Sequence, residues 1–222
     1  MNIREILRLL EREYGARYLK PDQEPVSALV MTILSQNTSD VNSHRAFSSL
    51  LATFDNWEEV AATGVDDIAQ AIRSGGLAQV KAKRITQALH EIKNRRCSLD
   101  LGFLADLPLA EAKSWLRELP GVGPKTAGCV LLFSLGRPAL PVDTHVFRVA
   151  KRLGLVDSKS SPEGVHQLLE SLIPPQNIYQ FHLHMVEHGR KICQAQRPHC
   201  QGCGFNQLCQ HFLHSRQGGT PK

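Results

Sequence analysis

Apolar residues recur at three- and four-residue spacing along almost the whole chain, in segments 2–14, 26–35, 41–52, 65–73, 79–95, 109–118, 124–135, 143–154, 163–172 and 177–189. That period marks one face of an α-helix, and no convincing alternation of the kind a half-buried strand needs interrupts it. The breaks coincide with turn chemistry, at Lys20-Pro21-Asp22, Ser74-Gly75-Gly76, Pro120-Gly121-Val122-Gly123, Arg137-Pro138 and Pro174-Pro175. The pattern predicts an all-α protein with short connections and a frayed polar tail from Ser215 to Lys222. With 222 residues, 42% of them hydrophobic, the chain can bury one large core or two small ones.

Arg4 and Glu5 place charge near the start, and Ile3, Ile6, Leu7, Leu10 and Tyr14 fall at helical spacing, so this end reads as a helix rather than a signal peptide. The longest uncharged apolar stretch of the C-terminal half, Thr126 to Gly136, is far below the roughly 20 residues of a membrane span. A soluble intracellular protein with no membrane association is expected. Six cysteines in such a compartment are thiols or metal ligands sooner than disulfides. The excess of 26 Lys+Arg over 21 Asp+Glu, a formal +5, is a mild bias toward polyanions such as nucleic acid and identifies none.

The most informative stretch is Leu119-Pro120-Gly121-Val122-Gly123-Pro124-Lys125-Thr126-Ala127, which reads as helix, tight turn, helix. Its two glycines permit positive φ and bare backbone approach, and Pro124 suits the first turn of a helix. Exposed amides at such a start attract an anion, in a DNA-binding hairpin a backbone phosphate; a plain corner in a core is the other reading. Lys125 lies in that first turn, where the positive end of the helix dipole disfavours an ammonium and favours a nucleophilic amine. It reads either as that nucleophile or as a cation on phosphate. Asp143 follows a proline-bounded loop and precedes a periodic segment, the place of an N-cap; amide donors there would also hold its carboxylate ionised and fixed in direction, as stabilising a cationic sugar requires.

Cys193, Cys200, Cys203 and Cys209 form the pattern C-x6-C-x2-C-x5-C. Thiolates this close can wrap one soft centre, an iron–sulfur cluster or a tetrahedral zinc. Cys97 and Cys129 fall in or beside helices as core or bystander thiols.

The hairpin, followed after eighteen residues by Val142-Asp143-Thr144-His145, resembles the helix-hairpin-helix and aspartate signature of the endonuclease III superfamily. The four cysteines, behind a His188-Gly189-Arg190 lead-in, resemble its 4Fe-4S loop, and the likeness runs from about Pro25 to Cys209. It implies a two-lobed helix-hairpin-helix DNA glycosylase fold. A six-helix domain would span 23–137, an iron–sulfur cluster domain would join 1–22 to 138–214, a flexible tail would follow at 215–222, and DNA would lie in the cleft between the lobes.

The resemblance makes Lys125 the Schiff-base lysine and Asp143 the essential carboxylate. Relatives that only excise mismatched adenine generally lack the lysine, so its presence implies lyase activity. Asn37, preceded by Gln36, takes the gap-filling position where a glutamine is usual, and Leu77 takes that of the wedge leucine; the ordinary readings are Asn37-Thr38-Ser39-Asp40 as a helix cap and Leu77 as a core residue. Gly121, Gly123 and His145, with Arg190, Lys191 and Arg197 of the basic cysteine loop, are the remaining implied DNA contacts. The implied activity is excision of damaged, chiefly oxidised, pyrimidines followed by β-elimination, by a monomer on double-stranded DNA at the nucleoid of a prokaryotic-type cytoplasm. The alternatives are a lyase confined to abasic sites and a mismatch or uracil glycosylase; a non-catalytic DNA-binding module and an electron carrier are rivals of other classes.

Overall fold

The computed structural model describes residues 2–21, 23–157 and 160–216, with 162 and 163 by their backbone alone. Among them there is no strand. The chain divides into two compact units, Pro21–Arg137 and a second that joins Met1–Lys20 to Pro138–Lys222. No helix among the described residues is long and apolar enough to cross a membrane.

The Pro21–Arg137 unit is built around α2 (Pro25–Ser35), which carries no charged residue. Val26, Leu29, Val30, Ile33 and Leu34 are all at most 1% exposed, as expected of a helix apolar on every side. Glu24 starts it, its carboxylate accepting from the amides of Val26 and Ser27 at 2.8 and 2.6 Å. Against α2 pack α3 (Asp40–Thr53), α6 (Ala78–Arg96), α8 (Pro124–Cys129) and the π-helical turn Val130–Ser134 that continues α8. Between these come α4 (Trp57–Ala62), α5 (Val65–Ala71) and α7 (Leu109–Arg117). All six helices expected for this part of the chain are present. α4 is an addition, too short at six residues to print a period. The final turn is tied down by Arg137, whose guanidinium donates to the carbonyls of Leu104, Ala105 and Leu107.

The other unit contains α1 (Ile3–Tyr14), α9 (Thr144–Leu153), α10 (Pro162–Leu172), α11 (Ile178–Lys191) and α12 (Gln210–Arg216). α11 lies against both α1 and α9, and α12 against α9. Ile6, Leu10, Val146, Val149, Phe181, Met185 and Phe205 fill the interior. Three buried histidines of α11 punctuate it. His182 Nδ1 bonds the Pro141 carbonyl at 2.8 Å, His184 Nε2 bonds that of Gly15 at 2.8 Å, and His188 Nδ1 meets the Tyr14 hydroxyl at 2.7 Å. Of the tail expected from Ser215 onward, Ser215 and Arg216 instead close α12, and Gln217–Lys222 lie outside the described residues.

Gly189 lets α9 and α11 approach, since a Cβ there would stand 2.8 Å from that of His145. Gly189→Ala should therefore cost a net 1–3 kcal/mol, about, because overpacking outweighs the helix-propensity gain. Gly202→Ala, whose Cβ would meet nothing within 4 Å, should stay within about 0.5 kcal/mol of the parent. Urea-unfolding midpoints of the two variants test the contrast.

Candidate active site

The hairpin joins α7 to α8. Val122 donates its amide to Leu119 O at 3.1 Å and turns its side chain inward, 6% exposed, which fixes the tight turn. Of the two glycines expected to use positive φ, only Gly121 does, at +78°; Gly123 is extended. The need for glycine differs accordingly. A Cβ on Gly121 would meet Arg84 Cδ at 2.9 Å, whereas one on Gly123 would meet nothing, so the backbone at the start of α8 is open to an approaching group. Lys125 sits one residue inside α8, half-buried. Among the described residues its ammonium has no hydrogen-bond or ion-pair partner.

Two loops of the same unit carry the expected gap-filling and wedge residues. Asn37 and Leu77 are both exposed, Leu77 by 58%, and both have φ of +52°. Leu77 is therefore no core residue, whereas the reading of Asn37-Thr38-Ser39-Asp40 as a helix cap holds, with Ser39 the N-cap of α3. Gln36 behaves differently from Asn37. Its Nε2 donates to Gly121 O at 3.2 Å and its Oε1 accepts from Arg84 Nη1 at 2.6 Å, so it links this loop to the hairpin.

Two further residues, unremarked in the sequence, hold these loops. Arg84 supports both Gln36 and the underside of Gly121. Lys81 is only 1% exposed, and its Nζ donates to Leu34 O, Thr38 Oγ1 and Gly75 O at 2.6, 2.5 and 2.8 Å. Burial pulls its pKa down from the ordinary lysine value, while the three oxygens use up its three donors. Its place on the α6 stripe with Ile85, Leu89 and Ile92 was a usable signal, because a lysine in an apolar row needs partners.

Asp143 belongs to the other unit and is the N-cap of α9, accepting from Val146 N at 2.7 Å. The loop before it is pinned at both polar faces of its backbone: Glu170 accepts from Leu140 N at 2.7 Å, and His166 and His182 bond the carbonyls of Leu140 and Pro141. Its second oxygen has no partner among the described residues. His145, half-buried, holds Arg148 through Nδ1 at 3.0 Å. Arg148 reaches on to Gly189 O and Cys193 O, at 2.8 and 2.9 Å, and so anchors the start of the cysteine loop.

Cys193, Cys200, Cys203 and Cys209 all line one pocket, together with Arg152 and His188. No disulfide joins any of the six cysteines. Among the described residues no three His, Cys, Asp or Glu side chains converge on a single-ion site; the sulfurs are spread around the cavity wall. Burial pushes the thiols of Cys200 and Cys209 up and that of Cys203 to about 11. Donors nevertheless face the sulfurs, with Arg152 Nη1 3.3 Å from Cys193 Sγ and His188 Nε2 3.7 Å from Cys203 Sγ. A soft donor set around one pocket, supported by hydrogen-bond donors, fits a thiolate-bound metal centre.

The implied phosphate contacts around this loop fare unevenly. Arg190 and Arg197 are exposed, Arg197 with φ of +52°. Lys191 is also exposed but donates to Glu187 at 2.6 Å, a bond that holds the Glu187 carboxyl below its usual range. Such an exposed pair yields to a stronger anion at little cost. Cys129 is buried and Cys97, exposed, caps α6 in a left-handed conformation.

Comparison with known proteins bears on the whole of this arrangement. Residues 30–175 match the family model described as HhH-GPD superfamily base excision DNA repair protein. A candidate DNA glycosylase of Arabidopsis thaliana is 41% identical over 172 residues, a match covering 78% of this chain and 58% of that protein. Endonuclease III of Thermotoga maritima is 31% identical over 216 residues, 97% of this chain and 96% of its own. In a solved non-covalent complex of endonuclease III with DNA, the protein superposes with a TM-score of 0.82 at 29% identity, covering 97% of each chain. On the strength of that near-complete correspondence, the chain belongs to the endonuclease III branch of the HhH-GPD superfamily, the DNA glycosylases and lyases of base excision repair.

Proposed function

We propose that this glycosylase/lyase excises damaged pyrimidines, oxidised ones above all, from double-stranded DNA and then nicks the strand 3′ to the abasic site, working as a single chain. The observation that carries the lyase step is the contrast between two lysines of one unit. Lys81 is buried with every donor used, whereas Lys125 stands half-exposed beside the open backbone of Gly123, with no partner among the described residues. An amine free of partners and aligned with the start of a helix is the better nucleophile.

In the proposed mechanism the damaged nucleotide leaves the stack, and Asn37 and Leu77 occupy the space it vacates. Asp143, held in direction by the α9 amide, stabilises positive charge on the sugar as the bond from C1′ to the base breaks and the base departs with the electron pair. Lys125 bonds to C1′ and gives up a proton; its nitrogen lone pair then opens the sugar ring by breaking the C1′–O4′ bond, O4′ takes up that proton as a hydroxyl, and the product is a protonated imine. The imine acidifies C2′; loss of that proton expels the 3′ phosphate with the electrons of the C3′–O bond, and hydrolysis returns the free amine. Gly121, Gly123, His145, Arg190, Lys191 and Arg197 contact the phosphates. Those contacts orient the duplex without reading sequence.

Cys193, Cys200, Cys203 and Cys209 would hold a 4Fe-4S cluster, whose contribution is to shape the loop bearing Arg197 against DNA. The four-cysteine lining and the donors of Arg152 and His188 support a thiolate-held centre, and the resemblance of the cysteine spacing to the family's loop favours the cluster over a single zinc. Purified protein should then carry iron and acid-labile sulfide in equal amounts, lost together on Cys203→Ser. Stoichiometric zinc without sulfide would refute the assignment.

Borohydride should trap wild-type protein on abasic DNA, and Lys125→Gln should trap none; equal trapping by the variant removes Lys125 from the mechanism. Asp143→Asn should keep DNA affinity but lose turnover on the order of 10²-fold or more.

The lesion is tested with oligonucleotides bearing thymine glycol, uracil, a mismatch or an abasic site. Thymine glycol should be cut well above uracil and the mismatch. A second reading, a lyase confined to ready-made abasic sites, draws on one feature: Gln36 is engaged with Arg84 and Gly121, which leaves the shorter Asn37 to fill the gap. Cleavage of the abasic substrate alone would establish it.

A further inference from the structure

We propose that Lys81 is a positioning residue for entry into the duplex, one whose buried ammonium ties the Asn37 loop to the Leu77 loop and sets the spacing of the two side chains that enter the DNA. The inference rests on the gap-filling and wedge roles proposed above for those two residues.

The three acceptors of Lys81 are distributed between the loops. Leu34 O lies three residues before Asn37, Thr38 Oγ1 one residue after it, and Gly75 O two residues before Leu77, at 2.6, 2.5 and 2.8 Å. Thr38 closes the triangle, its hydroxyl donating to Gly75 O at 2.5 Å. Three donors thus meet three oxygens from two segments forty residues apart, roughly, in sequence, and none of the three is a carboxylate. Core packing alone does not call for this. A lysine is almost never fully buried, and the neighbours on its stripe, Ile85 and Leu89, fill the interior without a polar atom.

The tie has something to restrain. Asn37 and Leu77 share φ of +52°, a left-handed conformation that is costly for leucine and persists only where surrounding contacts over-determine it. Both side chains are left exposed by that geometry, so their positions depend on the backbone that Lys81 clamps. Misplacement of a functional group by about 1 Å can reduce rate by roughly 10².

Lys81→Met preserves the length of the side chain and removes the donors; Thr38→Val removes the relay hydroxyl at constant shape. Single-turnover nicking is measured on one abasic oligonucleotide, both in a duplex and as a single strand, where no stack has to be entered. Lys81→Met should slow the duplex reaction at least about tenfold while changing the single-strand reaction less than about threefold, with little change in the protein concentration for half-saturation. Thr38→Val should move the duplex-to-single-strand ratio in the same direction by a smaller factor. Equal loss on both substrates would mean a merely structural role and overturn the proposal, as would a duplex rate within about twofold of wild type. Should Lys81→Met fail to fold by circular dichroism, Thr38→Val decides, and an unchanged ratio for it overturns the proposal. Asn37→Ala and Leu77→Ala serve as the reference. If they leave the ratio unmoved, the roles of the two loops are wrong; if they move it and Lys81→Met does not, only Lys81 is misassigned.

Discussion

Carbonyls left over where a helix or turn ends must find donors, and in this protein long cationic side chains supply them. Lys81 serves the end of α2 and the turn before Leu77. Arg137 serves three carbonyls around the turn Gly102–Ala105. Arg148 and Arg152 serve the end of α11 and the first residues of the cysteine loop, Arg152 through Gln194 O and Ala195 O at 2.6 and 3.0 Å. The Asn37, Leu77 and cysteine loops are thereby fastened to a neighbouring helix of their own unit. Charge-assisted bonds to fixed donors are stronger than neutral ones, so irregular backbone can be held in one shape without regular structure.

This use of cations qualifies what net charge says about function. A formal +5 suggests a surface that attracts polyanions. Yet Lys81 is wholly internal and Arg84, Arg137, Arg148 and Arg152 are committed to loop ends, so part of the basic count is spent within the fold. The cations available to phosphate are fewer and lie on particular loops.

The helical architecture was legible because apolar period and turn residues agree along most of the chain, and Gly121 and Pro124 sit where the backbone needs them. Short elements escaped detection: α4 and α12, of six and seven residues, span too few turns to show periodicity. The hairpin motif made Lys125 visible, but the positive φ expected at both glycines occurs only at Gly121, because a turn motif does not specify which of its glycines takes the left-handed angle. Lys81 and Arg84 were opaque for another reason. The apolar row marked Lys81 as needing partners, but partners such as Leu34 for Lys81 and Gln36 for Arg84 lie more than forty positions upstream, where no local pattern reaches.

Asparagine at position 37 takes on a different meaning in light of its backbone. Of all residues with a side chain beyond glycine, asparagine is among those that enter the left-handed region most readily, far more so than a longer amide or a branched apolar group. Leu77 and Arg197 enjoy no such tolerance and occupy the same region at φ of +52°. A laboratory selection for heat resistance alone would accordingly drift toward glycine at 77 and 197, relaxing the main chain while erasing the two side chains, and would leave 37 as it stands.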